Sequence, residues 1–136
     1  MDVRQAQEFL QGNGRAVVAT YRADGQTQMS PVLAAIDDAG RVLISTRETA
    51  MKVHHLRRDP RIALCVFTEA FFGAWTQVEG KAEIISLPEA RELLVDYYRR
   101  VAGEHPDWDE YRTAMRQEKR VIVRFEITRA GPSQSG

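Results

Sequence analysis

Between Ala16 and Thr46 the chain makes three runs of β-forming residues around two tight turns, and no helix fits between them. Residues 16 to 21 (Ala-Val-Val-Ala-Thr-Tyr) are a compact β-type run. Asp24-Gly25 follows, a strong short hairpin signal, and residues 27 to 36 supply the returning strand. Residues 37 to 40 turn the chain again into a third run, 41 to 46. Short connections of this kind join antiparallel neighbours, so the three runs read as a meander. A doubly wound parallel sheet needs helices between most of its strands, and is excluded. Pro31 cannot donate to a ladder, so the second strand is expected to be an edge or to carry a bulge there.

The rest of the chain keeps this character. Residues 62 to 67 (Ile-Ala-Leu-Cys-Val-Phe) are wholly apolar, which predicts a strand buried on both faces. Residues 74 to 85 alternate, with Thr76, Val78, Ala82 and Ile84 opposite Trp75, Gln77, Glu79, Lys81 and Glu83; Gly80 marks a bulge or bend. Val121, Val123, Phe125 and Ile127 give a last half-buried strand. Helical spacing is confined to four places. Residues 3 to 12 open the chain, and a short basic helix lies between the third and fourth strands. Ser86-Leu87-Pro88-Glu89 reads as a capping box before Ala90, Leu93, Leu94, Tyr97, Tyr98 and Val101, and Asp107 to Glu110 opens a helix to about Gln117. The expected fold is mainly β with peripheral helices: a closed or split antiparallel barrel of six strands. Residues 1 to 130 form one domain in this reading, and residues 131 to 136 a disordered polar tail.

Charge and composition narrow the function. Nineteen basic residues balance nineteen acidic ones, which argues against a general nucleic-acid binder. No apolar run is long enough to cross a membrane and the N-terminus has no signal-peptide core, so a cytoplasmic protein is expected. The single cysteine, Cys65, is expected to be a core thiol. His54 and His55 are adjacent, diverge by ~100° on a helix and cannot pair on one metal; surface or cofactor-edge positions suit them. His105, before Pro106, reads as structural. No serine triad, carboxylate pair or phosphate-binding glycine loop is present, so the chain either is not an enzyme or leaves the chemistry to a bound cofactor.

The stretch from 45 to 61 bears on that choice. It joins two strand-end hydroxyls, Ser45 and Thr46, to a helix start and five cations: Arg47, Lys52, Arg57, Arg58 and Arg61. A helix N-terminus beside cations favours an anion; the plainer alternative is a solvated basic helix covering one end of a sheet. Trp75 reads as core packing or as a ligand wall. Phe71-Phe72, in a turn, mark a dimer contact or the rim of a cleft.

These pieces, in this order, resemble the coenzyme F-420 (deazaflavin)-dependent oxidoreductases of the pyridoxamine 5′-phosphate oxidase-like split-barrel superfamily. The matching strings are Ala19-Thr20 with Asp24-Gly25, Gln28-Met29-Ser30-Pro31-Val32, Ser45-Thr46, and Lys52 with Leu56-Arg57-Arg58-Asp59-Pro60-Arg61. Val78-Glu79-Gly80 follows, and the segment from Tyr98 to Arg112, YRRVAGEHPDWDEYR, looks like an actinobacterial subgroup signature. The resemblance implies a homodimer with two cofactors at the interface and hydride transfer from the reduced deazaflavin to an unsaturated small molecule. It implies that Ser45, Thr46, Met51 and Lys52 meet the cofactor phosphate and acidic tail, and that the ring lies against Gln28, Met29, Ser30 and Val32. Trp75, Gln77 and Arg120 would close the site from the partner subunit. Some relatives carry an arginine two residues before the helix lysine; here that position is Ala50, with Arg47 as a substitute. The superfamily also contains FMN-dependent oxidases and binders of haem or bilins, so FMN is the alternative cofactor and a non-catalytic carrier the alternative role.

Overall fold

The computed structural model describes residues 1–132. Helix α1 (Val3–Gly12) is fixed by a capping box in which Asp2 accepts from the Gln5 amide at 2.8 Å while the Gln5 side chain accepts from the Asp2 amide at 2.9 Å. Strands β1 (Arg15–Tyr21), β2 (Thr27–Ile36) and β3 (Arg41–Arg47) form the expected meander. Helix α2 (Met51–Arg58) separates β3 from β4 (Arg61–Phe67). Then come β5 (Trp75–Lys81), β6 (Glu83–Ile85), α3 (Arg91–Ala102), α4 (Trp108–Gln117), β7 (Arg120–Glu126) and β8 (Arg129–Ala130). One antiparallel sheet orders them β6-β7-β3-β2-β1-β4-β5-β8.

Eight strands replace the six expected among the described residues, for two reasons. The run from 74 to 85 breaks at Ala82, whose amide bonds to the Pro60 carbonyl at 2.8 Å, the last bond between this run and the β4 side. Its first part, β5, pairs with β4, and its second, β6, pairs with β7 at the other end of the sheet. That break carries the chain across the seam and curls the sheet into a barrel. Gly80 permits the closure: a Cβ there would strike the Glu126 carbonyl and come within 2.7 Å of Phe125 Cδ2. The second addition is β8, which pairs Ala130 with Val78, while the Gly131 amide bonds to the Gln77 carbonyl. The tail expected to be disordered from 131 is therefore tied down at Gly131, and residues 133–136 lie outside the described residues.

The barrel interior is filled from alternate positions of every long strand: Ala16 and Val18, Val42 and Ile44, Ile62, Leu64 and Val66, Val78, Val123 and Phe125, with Leu10 and Leu56 from α1 and α2. A second core lies outside the barrel wall, where Leu94 and Val95 of α3 and Tyr111 of α4 cover Ala35, Leu43 and Ile122. β4 is therefore buried on one face only. Ile62, Leu64 and Val66 point inward, whereas Cys65 is exposed, not a core thiol, because no layer covers that side of the sheet. The expected capping box at Ser86 is likewise absent. Residues 87–90 make turns first, α3 begins at Arg91, and Ser86 Oγ donates instead to Glu48 at 3.3 Å. The cap at Asp107 is present, accepting from the Glu110 amide at 3.1 Å. Behind it Tyr98, His105, Trp108 and Tyr111 stack with ring centroids 5.0–5.8 Å apart and lock α3 to α4. His105 is structural, as its sequence context indicates.

The Gly80 contact sets a test. Gly80→Ala is expected to destabilise the protein by about 1–3 kcal/mol, as overpacking does, read as a lower urea midpoint at unchanged m-value. An unchanged midpoint would show that the seam is loose.

Candidate cofactor site

Strand β2 has two different partners along its length. Residues 27–33 pair with β1, but β3 joins only at Ala34, Ala35 and Ile36. Beyond Ile44, β3 continues as Ser45, Thr46 and Arg47 with β7 on one side alone. The two strands thus part at a fork, and between them lies a crevice bordered by two strand edges with unpaired backbone groups. Pro31 sits on the diverging segment, as its missing N–H requires. Tyr97 of α3 fills the fork: its hydroxyl donates to the Leu33 carbonyl at 2.7 Å. Burial pushes the Tyr97 phenol up, against the opposing pull of the Ser45 amide and the Arg120 charge.

The alternation of β2 decides which of its residues share this space. Gln28, Ser30 and Val32 lie on the barrel side, across from buried Thr20, Val18 and Ala16. Gln28 Oε1 is buried with no hydrogen-bond partner among the described residues, a costly state for an amide oxygen unless a ligand supplies a donor. Met29 faces the other way and is 67% exposed. It belongs with Trp75 and Gln77 of β5, on the outer face of the sheet and away from this chain's crevice. Ser45 and Thr46 also diverge, as successive strand residues must. Thr46 shares the barrel face with Val42 and Ile44, and Ser45 looks toward α3.

The end of the crevice is positively charged. Helix α2 starts at Met51, and its N-cap, Ala50, has no side chain to satisfy the first-turn N–H groups. Met51 is exposed there. Lys52 is half-buried, and no carboxylate among the described residues lies within ion-pair distance of it. Burial and the neighbouring Arg120 charge hold its ammonium pKa below the usual lysine value. Arg120 and Arg47 share one carboxylate, Glu118, at 2.8 and 3.3 Å. Hydrogen bonding and charge from these two arginines draw the Glu118 pKa down. One acid for three cations leaves an excess of positive charge. Arg120, expected to close the site from the partner subunit, lies near Lys52 of its own chain. Arg57 is neutralised by Glu48, and Arg61 by Asp59 at 2.7 Å, so neither is available to a ligand.

Of the two positions expected for the histidines, surface or cofactor edge, the surface one does not hold for His55. His54 is exposed, but His55 turns inward and its Nδ1 meets Thr20 Oγ1 at 3.0 Å, fixing α2 to β1. Sequence reading missed this pair and Tyr97. Tyr97 was visible only as one apolar position in a helical stripe, although its polar tip was a hint that a partner was needed.

The barrel is split where β2 leaves β3, and the start of α2 with Lys52 follows the free end of β3. The profile of the pyridoxamine 5′-phosphate oxidase family matches residues 3–133, and the chain belongs to that family. Among solved structures it is similar to the conserved hypothetical protein Rv2991 from Mycobacterium tuberculosis, with a TM-score of 0.78 and 27% identity over 99% of this chain and 85% of that one. An F-420 reductase superposes with a TM-score of 0.71 at 19% identity, covering 92% of this chain and 94% of its own. A heme binding protein from Mycobacterium smegmatis gives 0.70 at 15% identity, covering 98% of this chain and 57% of its own. The last two likenesses speak for the fold alone.

Burial, followed by the charges of Arg58, Arg22 and His54, lowers the His55 pKa below the usual histidine value. In the unfolded chain His55 takes a proton near pH ~6.5, and the folded state resists it. Its contribution to stability is therefore present above that pH and lost as pH falls toward the depressed folded value. Urea titrations from pH 7.5 to 5 are expected to show falling stability, with a shallower slope in His55→Gln. An identical slope in the variant would place the acid sensitivity elsewhere.

Proposed function

We propose that this protein is a coenzyme F-420-dependent reductase acting as a homodimer on an unsaturated small molecule of the enone, quinone or bilin type. The observations that carry the reading are two: a cation cluster, Lys52 with Arg120 and Arg47, that has one carboxylate, Glu118, within ion-pair distance among the described residues, and an orphaned acceptor, Gln28 Oε1, on the open segment of β2. F-420 carries a phosphodiester and a polyglutamate tail, which need several cations, and a planar ring edge with N–H groups, which needs acceptors. The residues present fit those demands. Lys52, Arg120, Arg47 and the open start of α2 would hold the anionic part, with Thr46 beside them. Gln28 and the free edge of β2 from 27 to 33 would hold the ring against Ser30 and Val32. When bound, the reduced deazaflavin supplies the hydride, which explains why the chain needs no nucleophile of its own. The protein's part is to bind, orient and keep the ring against an apolar barrel wall.

The dimer reading rests on the outer face of the sheet. Met29, Val17, Cys65, Phe67 and Trp75 lie on that side of β2, β1, β4 and β5, and Phe71 and Phe72 beside it are 69% and 76% exposed. An apolar surface of this extent calls for a partner. A second copy would bury it and bring Trp75, Gln77 and Met29 toward the other subunit's crevice, which is how residues on the wrong face of one chain can still serve the cofactor.

Two measurements test these readings. In a titration of the purified protein, F-420 is expected to bind and to quench tryptophan fluorescence, and Lys52→Ala to weaken it by about 1.5–3 kcal/mol, the range for a charged hydrogen bond. Tight FMN binding with no F-420 binding would support the FMN oxidase alternative instead. Binding of F-420 without turnover of any enone, quinone or bilin would leave a carrier. Light scattering is expected to give a dimer mass for the native protein and a monomer mass for Phe72→Glu with Cys65→Arg. A native monomer would remove the partner-subunit role of Trp75 and Gln77.

A further inference from the structure

A second cleft, independent of the cofactor crevice, lies where α4 crosses the start of α3. Its volume is about 430 Å³, within the ~300–1,000 Å³ range of small-molecule sites. Leu87, Leu94 and Met115 form an apolar floor, and three guanidinium groups, Arg91, Arg112 and Arg116, stand around it. An apolar trough with a few convergent polar groups is the general form of a ligand pocket.

The cations of this rim are poorly matched. Arg112 has Glu92 at 3.5 Å and Asp109 at 3.9 Å, and Arg91 has Glu92 at 3.9 Å, all beyond good hydrogen-bonding distance. Both acids are highly exposed, Asp109 almost wholly so, and pairs of that kind contribute little. Arg116 reaches only a neutral hydroxyl, Thr113 Oγ1, at 3.2 Å. Arg112 Nε is sealed from solvent and has no acceptor among the described residues. Leaving a charged donor buried and unpaired is costly. A planar carboxylate is the group that a guanidinium takes in bidentate fashion, and an alkyl or aryl body behind it would cover the Leu87, Leu94 and Met115 floor.

We infer that the α3–α4 cleft is a binding site for a free amphipathic monocarboxylate, such as a medium-chain fatty acid, with Arg112 and Arg116 holding the carboxylate. The cleft also shares Leu87 and Arg116 with a smaller recess that runs to Arg120. The site therefore adjoins the cationic end of the cofactor crevice without overlapping Lys52 or Gln28. The inference does not depend on the identity of the cofactor.

Calorimetric titration of the whole protein with the series from hexanoate to decanoate tests it. Saturable binding at one site per chain is expected, tightening about fourfold per added methylene until the cleft is full. Decanol should bind at least tenfold more weakly than decanoate. Arg112→Gln and Arg116→Gln should each lose about tenfold for decanoate while leaving F-420 or FMN affinity unchanged, which also shows that the variants fold. Absence of saturable binding, equal affinity for decanol, or unchanged affinity in both arginine variants would overturn the proposal. So would displacement of decanoate by F-420, which would make the cleft part of the cofactor site. Co-sedimentation with anionic vesicles, with no binding of the soluble acids, would point to a membrane surface and overturn it too.

Discussion

The parting of β2 from β3 is the constraint from which the rest of this molecule follows. Two strands that pair at Ala34 to Ile36 and then separate must leave backbone donors and acceptors without partners. The cost is contained because Pro31 brings no N–H to the open segment, and because Tyr97 ties its hydroxyl to the Leu33 carbonyl where the strands divide. Gly14 contributes from the other side. Its carbonyl accepts from the Ala34 amide at 2.7 Å, and a side chain at Gly14 would collide with the Ala34 carbonyl. The parting of β2 from β3 is thus supported by three residues: Pro31 in β2, Tyr97 in α3 and Gly14 in the loop before β1.

Electrostatics completes the site without any departure from overall neutrality. Most arginines in this chain are spent on nearby acids: Arg41 on Asp37, Arg61 on Asp59, Arg100 on Asp96 and Asp38, Arg124 on Glu83. Against that background an unpaired lysine beside a half-satisfied arginine stands out. Lys52 is kept there at a cost visible in its lowered pKa, and an arriving anion would relieve the repulsion it shares with Arg120. The same logic, an arginine with no adequate acid, identifies the α3–α4 cleft.

Much of this was legible in the sequence because it is local. The hairpin at Asp24-Gly25, the missing N–H that Pro31 gives its strand and the α4 cap at Asp107 each depend on neighbours in the chain. What failed was whatever depends on layers. Six apolar residues in a row cannot reveal whether both faces of a strand are covered, so Cys65 was read as buried. Alternation assigned Trp75 and Gln77 correctly to one face, but not which face holds a cofactor. A helical stripe could not distinguish Tyr97 from its packed neighbours, and no periodicity announces that a continuous alternating run will pass from one end of the sheet to the other at Ala82. The pairing of Thr20 with His55 joins residues 35 positions apart, and has no local signature at all.

The position of β7 in the sheet bears on how the protein comes into being. It is the partner of both β3 and β6, and its register joins Arg47 to Arg120. Until residues 120–126 have been synthesised, the strand that carries Ser45 and Thr46 has an open edge on either side of its free end. The Lys52 cluster also lacks Arg120 and Glu118. The candidate site therefore cannot be assembled progressively as the chain leaves the ribosome. The fork between β2 and β3 takes its final shape late, when long-range pairing closes the barrel, the slow step expected of a topology rich in non-local contacts. A nascent chain stalled before β7 would carry Gln28, Ser45, Thr46 and Lys52 but neither Arg120 nor the strand that holds the free end of β3.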